Sequence, residues 1–194
     1  MKYWLITLLM LSGHLISVAQ SRIYDIRFAN KSIGSLTVFE PEQAQGRTIF
    51  KIEAVYSIPF SKGQFTIINH YKKDQLVYSS YQQTTNNNLK ESIITQWLSQ
   101  QYVSTDSLNI KKINDKISKP IEHSVCSFYY KEPKGMKAIF SERYGVYCDV
   151  SNPADGAYEM KLPDGRVSTY IFRNGLCQEV RSSVMGGNLV FILQ

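Results

Sequence analysis

The chain has 194 residues, 43% hydrophobic and 20% charged, with 22 Lys and Arg against 16 Asp and Glu for a formal net charge of +6. This profile excludes a disordered, collagen-like or disulfide-scaffold chain and leaves one globular domain, long enough to bury a core without staples. The basic excess is scattered in short clusters such as Lys72-Lys73 and Lys111-Lys112, not drawn into a stripe. That argues against nucleic acid as a partner and leaves open only weak attraction to an anionic surface.

In chain order, the first element is a targeting segment. Met1-Lys2 supplies a positive charge, Tyr3 to Leu11 is apolar except for Thr7, and Ser17-Val18-Ala19 ends in small residues. Charged start, apolar middle and small end describe a secretory signal cleaved after Ala19. The alternative, an uncleaved anchor, needs about 20 predominantly apolar residues, and Gly13 and His14 interrupt this stretch. No Cys stands at the cleavage point, so the expected product, residues 20–194, is a soluble periplasmic or extracellular domain, not a lipid-anchored one. No later run is apolar enough for a transmembrane segment.

Alternation of apolar and polar residues then dominates. Tyr24, Ile26 and Phe28 share a face, Asn30-Lys31-Ser32 turns, and Ile33 to Phe39 returns. Residues 41–47 read as loop. Phe50, Ile52, Ala54, Tyr56 and Ile58 alternate against Lys51, Glu53 and Ser57, and Pro59 to Gly63 ends that strand. Phe65–Lys72, Leu76–Thr85, Leu89–Leu98, Gln101–Ser104 and Leu108–Ile113 follow, with turns at Lys73-Asp74-Gln75 and Asn86-Asn87-Asn88.

One segment changes period. Ile121, Val125, Phe128 and Tyr129 fall on one helical face, after Pro120 and before Pro133 and Gly135, which predicts a short helix over 120–130. Strands resume at Lys137–Glu142 and Tyr144–Val150, and Asn152–Gly156 reads as loop. Tyr158 to Leu162, Val167–Phe172 and Leu176–Ser182 follow, joined by the turns Pro163-Asp164-Gly165 and Asn174-Gly175. Gly186-Gly187 turns into Asn188–Leu193, apolar on both faces and therefore expected inside the sheet or closing it. Many short strands with tight turns exclude a parallel α/β fold. The expected class is mainly β, an antiparallel meander forming a strongly curved sheet or partly closed β-barrel.

Few residues carry chemistry. Once the signal is removed, His70 and His123 lie on separate elements, and Cys126, Cys148 and Cys177 match no zinc spacing, so no metal or cofactor is expected. The cysteines read best as small buried hydrophobes, with one disulfide among them as the alternative. His123 and Cys126 stand three residues apart on the predicted helix, but no signature supplies an orienting third group or an oxyanion hole. Glu132, Glu142, Glu159 and Asp164 could supply a carboxylate pair only if the fold gathers them. The connector after the helix is the best place for a site. Tyr129, Tyr130, Glu142, Arg143 and Tyr144 are its candidate ligand-binding residues, against the plainer reading of a structural clasp in which Glu142 or Glu132 pairs Arg143 or caps backbone.

Five short stretches carry a resemblance: Tyr24-Asp25-Ile26 with Ile33-Gly34-Ser35-Leu36, Glu132-Pro133-Lys134-Gly135, Ser141-Glu142-Arg143-Tyr144-Gly145, Leu162-Pro163-Asp164-Gly165 and Asn174-Gly175-Leu176-Cys177. Together they resemble a family of exported bacterial proteins, common in Bacteroidota, known as a domain of unknown function. The resemblance implies a Gram-negative envelope or secreted location and supplies no activity or catalytic residues. The functional expectation is a non-catalytic protein holding a lipid or other apolar or amphipathic ligand in its concave sheet. A surface-acting module partnered with an envelope protein comes next, and a carboxylate or Cys–His hydrolase third.

Overall fold

The computed structural model describes residues 21–113, 117–184 and 187–194. The segment read as a signal, and Gly186 of the last predicted turn, lie outside them. Apolar alternation lays down the strands β1 (Arg22–Phe28), β2 (Lys31–Val38), β3 (Glu42–Ala44), β4 (Arg47–Ile58), β5 (Ser61–Lys72), β6 (Gln75–Thr85), β7 (Asn88–Leu98), β8 (Gln101–Asp106) and β9 (Lys111–Lys112). The second run is β10 (Ala138–Ser141), β11 (Val146–Ala154), β12 (Ala157–Lys161), β13 (Val167–Arg173), β14 (Leu176–Val184) and β15 (Gly187–Leu193). Residues 41–47, expected as loop, form the small hairpin of β3 on β4, because Gln45 and Gly46 both take positive φ.

All fifteen strands join one antiparallel sheet in the order β10 to β15, then β1, β2 and β4 to β9, with β3 attached to β4. The apolar last strand lies inside it, between β14 and β1, and so links the two halves of the chain. Turns follow from local chemistry. Ala29-Asn30, Lys73-Asp74, Asn86-Asn87, Ser99-Gln100 and Asn174-Gly175 each place two consecutive residues at positive φ. That matches the right-handed twist of a two-residue hairpin. Registers then stack inward-facing side chains in rows, such as Ile52, Ile67, Tyr81 and Ile93 across β4 to β7. A matching row of Tyr158, Tyr170, Val180 and Phe191 crosses β12 to β15.

These registers also sort the turns. Turns 29–30, 59–60, 86–87, 107–110, 142–145 and 162–166 share one end of the sheet, the Phe60 end. Turns 45–46, 73–74, 99–100, 155–156 and 174–175 share the other, the Asp74 end.

The sheet is curved but does not close through its ladders. Its two margins meet through side chains and single bridges. The Ser104 hydroxyl donates to the Gly145 carbonyl at 3.3 Å. Gly145 has φ +65°, and a Cβ there would stand 2.7 Å from that of Ser104, so the approach needs glycine twice over. Where the helical spacing predicts a helix over 120–130, the chain forms a five-residue 3-10 helix, Val125–Tyr129. The residues before it stay outside the helix and tie to neighbouring strands. The Ile121 carbonyl accepts from Leu76 N at 2.8 Å, Ile121 N donates to the Tyr102 hydroxyl at 3.0 Å, and Ser124 bridges Phe140. Among the described residues no helix is long and apolar enough to cross a membrane.

Candidate functional site

Curvature leaves a cavity of about 320 Å³ inside the sheet toward the Phe60 end. Its walls are the inward faces of paired strands: Ile52 and Ile67 on one side, Met160, Val180 and Phe191 on the other. Its floor includes Tyr129, whose ring meets Tyr24 edge-on at 5.4 Å and Tyr170 at 6.3 Å. A pocket of this size, apolar with a few convergent polar groups, is the usual form of a small-molecule site.

The polar groups gather at the mouth, on the connector 142–145 and the turn 162–166. Arg143 donates to both carboxylate oxygens of Glu91, at 2.7 and 2.5 Å, and lies over the Tyr81 and Tyr144 rings at 5.8 and 5.5 Å. Burial works against its charge, but the Glu91 bonds together with the charge of Glu91 and the nearby Tyr81 and Tyr144 outweigh it and hold the guanidinium above its ordinary value. Arg166 forks onto Asp164 at 3.0 and 2.5 Å, and both meet the Tyr144 hydroxyl, which donates to Asp164 at 2.6 Å. These bonds, Arg166 first, hold the Asp164 carboxyl well below the usual carboxylate range. Each arginine of the wall therefore carries its own carboxylate.

Glu142 closes the floor differently. It is fully buried, and its Oε1 accepts from Asn69 Nδ2 at 2.7 Å and from Cys126 N at 3.0 Å. Burial raises its carboxyl above the ordinary value, while bonds from Ser124, Asn69 and the backbone pull the other way. No cation pairs with it among the described residues. Asn69 Nδ2 and the Tyr71 hydroxyl both donate to Ser124 Oγ, at 2.9 and 3.1 Å, while Asn69 Oδ1 has no partner. This cluster is a partition. Behind it, toward the Asp74 end, lies a second cavity of about 560 Å³ lined by Asn69, Tyr71, Ser124, Cys126 and Tyr130.

Of the five candidate residues, Tyr129, Glu142, Arg143 and Tyr144 thus line the first cavity, and Tyr130 lines the second. Tyr130 is committed to structure. Its hydroxyl donates to the carbonyls of Phe39 and Lys51, at 2.7 and 3.1 Å, and its ring packs on Phe50. Of the clasp, Glu142 caps backbone at Cys126 N as one reading had it, whereas Arg143 takes Glu91, not Glu132 or Glu142, and Glu132 takes Lys134 and the Tyr158 hydroxyl. Sequence reasoning missed Glu91, Arg166 and Asn69. Arg166 directly follows the Pro-Asp-Gly turn and was findable; Glu91 and Asn69 lie 52 and 73 positions from their partners, and no local signal marks them.

The hydrolase groups do not converge. Glu132 sits by Tyr158, Asp164 at the mouth, Glu142 in the partition, and Glu159 on β12 pairs with Ser151 and Thr169. Cys126, Cys148 and Cys177 are free and buried. Burial first, and then the Glu142 carboxylate, push the Cys126 thiol well above its ordinary value, and no hydrogen bond joins it to His123 among the described residues. A thiol so held is a packing group, not a nucleophile. Among the described residues no three of His, Cys, Asp and Glu gather to hold a metal.

A family described as a domain of unknown function, DUF6134, matches residues 24–194. The chain belongs to this family. No curated protein matches it. Among solved structures it is similar to the crystal structure of a β-barrel-like protein of the domain of unknown function DUF1849 from Brucella abortus, with 12% identity and a TM-score of 0.53 over 90% of this chain and 95% of that one. At that identity the likeness concerns the fold, and it places the curved, unclosed sheet among barrel-like architectures.

Proposed function

We propose that this protein is an exported, non-catalytic β domain that holds an apolar or amphipathic ligand in the cavity at its Phe60 end. The observation that carries the reading is the 320 Å³ hollow with apolar strand walls, lying behind a mouth whose arginines are already matched by Glu91 and Asp164. A matched mouth gives a free anion little to gain, because Arg143 would have to surrender a bidentate carboxylate and Arg166 a doubly bonded Asp164 oxygen. The ligand it fits is an acyl chain or ring system whose polar end is uncharged, offering hydroxyl or carbonyl groups to Gln83 and Ser182. The N-terminal segment supports the exported address, the absence of a cysteine after Ala19 supports a product without a lipid anchor, and the resemblance carried by the five stretches supports a Bacteroidota-type envelope.

Native mass spectrometry of the protein purified from its own envelope tests this. We expect a co-purifying apolar molecule that is lost when Val184, on the cavity wall, is replaced by Trp to fill the mouth. Retention of the same molecule by a folded Val184→Trp variant would place it elsewhere and remove the reading.

A further inference from the structure

The Phe60 end carries a second feature, separate from the cavity. Phe60 is fully exposed and Ile110 is 87% exposed, and both sit at positive φ, +66° and +52°. A bulky and a β-branched residue are the poorest choices for that region, where glycine or asparagine costs least. Pro59 fixes the first position of its two-residue turn, and the second is one that normally calls for glycine. Neither side chain repays this strain by packing on its own fold.

Both turns are braced. Asn86 N donates to the Lys62 carbonyl and Lys62 N to Asn86 Oδ1, each at 2.8 Å, which ties the Phe60 hairpin to the next one. Asp106 accepts from Leu108 N at 3.0 Å and from Asn109 Nδ2 at 2.6 Å, which fixes the loop bearing Ile110. Ile58, Leu89 and Leu108 are exposed at the same end. Among them stand Lys31, Lys62, Lys90, Lys111 and Lys112, all exposed, none in an ion pair among the described residues. The acids of this end are engaged: Glu91 with Arg143, Asp164 with Arg166, Asp106 with its own loop.

We infer that this end docks on an anionic lipid bilayer, with Phe60 and Ile110 entering the interface and the lysines lying on the headgroups. Separate apolar tips on rigid turns suit insertion between headgroups. A protein partner is expected instead to meet a continuous apolar patch. Each lysine held near an anionic surface strengthens partition by roughly fivefold, an attraction that fades within a Debye length. The cavity mouth opens at this same end, so docking would present it to the membrane. The inference rests on the turns and stands whether or not the cavity holds a ligand.

The test is co-sedimentation of the protein, as purified from its host, with vesicles of phosphatidylcholine alone and of phosphatidylcholine mixed with phosphatidylglycerol. Wild type should bind the phosphatidylglycerol vesicles and release them as salt rises. The double variant Phe60→Asn, Ile110→Asn should bind about tenfold more weakly, from the lost apolar burial. Its stability should hold or rise, because asparagine accepts positive φ. Equal binding by wild type and variant overturns the proposal, and so does absence of binding. Self-association that depends on Phe60, without vesicle binding, overturns it in favour of a second copy on this face. The Val184→Trp variant should still bind vesicles, so failure of the cavity reading and failure of this one are distinguishable.

Discussion

The two cavities differ in a way that volume hides. The one behind the partition is larger, about 560 against 320 Å³. Yet one of its walls is the irregular stretch from Glu122 to Met136, held through Ser124, Cys126 and Tyr130 and not by a strand ladder. The smaller cavity is walled mainly by strands whose registers are fixed along their whole length. A void beside a segment held by side chains, outside the ladders, can be closed by shifting that segment without breaking strand pairing. A void between paired strands persists, because closing it would break ladders. Wall regularity, more than size, therefore favours the smaller cavity as the candidate site.

The comparison breaks first at Glu142, the residue between them. Replacing it with Ala joins the cavities and leaves Cys126 N–H and one of the two Asn69 Nδ2 hydrogens without an acceptor, the other keeping Ser124 Oγ. Two buried donors orphaned together cost about 4 kcal/mol, to be read by urea denaturation. A loss under about 1 kcal/mol would mean that the partition is not a structural element.

A smaller effect separates the clasp from an ordinary turn. Gly145→Ala meets both a positive φ and the Ser104 side chain at 2.7 Å. We expect a loss of about 2 kcal/mol. Gly135→Ala shares the positive φ, but its Cβ would find nothing within 4 Å, so about 1 kcal/mol is expected there. The difference between the two measures the approach of the sheet margins. Equal losses would leave only backbone strain and remove the contact from the account.

Much of the sheet was legible because its signals are local. The alternation from Phe50 to Ile58 gives the inward face of β4, Asn174-Gly175 gives its hairpin, and the two-faced apolarity of Asn188–Leu193 places β15 inside the sheet. The helix over 120–130 shrank for a physical reason. Its helical spacing serves two destinations: Ile121 packs with Tyr102 and Phe140, whereas Phe128 and Tyr129 join the main core. An amphipathic pattern records which residues are buried, not that they share one surface. The candidate site was legible only on the connector, where Glu142, Arg143 and Tyr144 are adjacent and line one cavity. Their partners on β5 and β7 come from the curvature of the sheet, which no local period encodes.

The finest distinction between the two sides of the partition is a proton. Burial raises the Glu142 carboxyl above its ordinary value of 4.5, and its hydrogen bonds offset that only in part. In the unfolded chain the group ionises near the ordinary value. In the fold it stays neutral to higher pH. Its contribution is therefore fully present below the unfolded value and is lost as pH rises from there through the folded one, by at most about 1.4 kcal/mol per pH unit. Tyr71 and Cys126, its titratable neighbours, are both raised by burial and remain neutral across that window. Asp25, Asp106 and Asp164 are all lowered, so their contributions are lost below the ordinary carboxylate range, outside the window. Glu142→Gln keeps an oxygen acceptor for Asn69 and Cys126 N–H but cannot ionise. The stability of wild type minus that of this variant should then fall as pH rises above about 4.5 and level off once the folded carboxyl has ionised. A difference independent of pH would mean that water or a ligand reaches the carboxylate from one of the cavities, and that the partition is open.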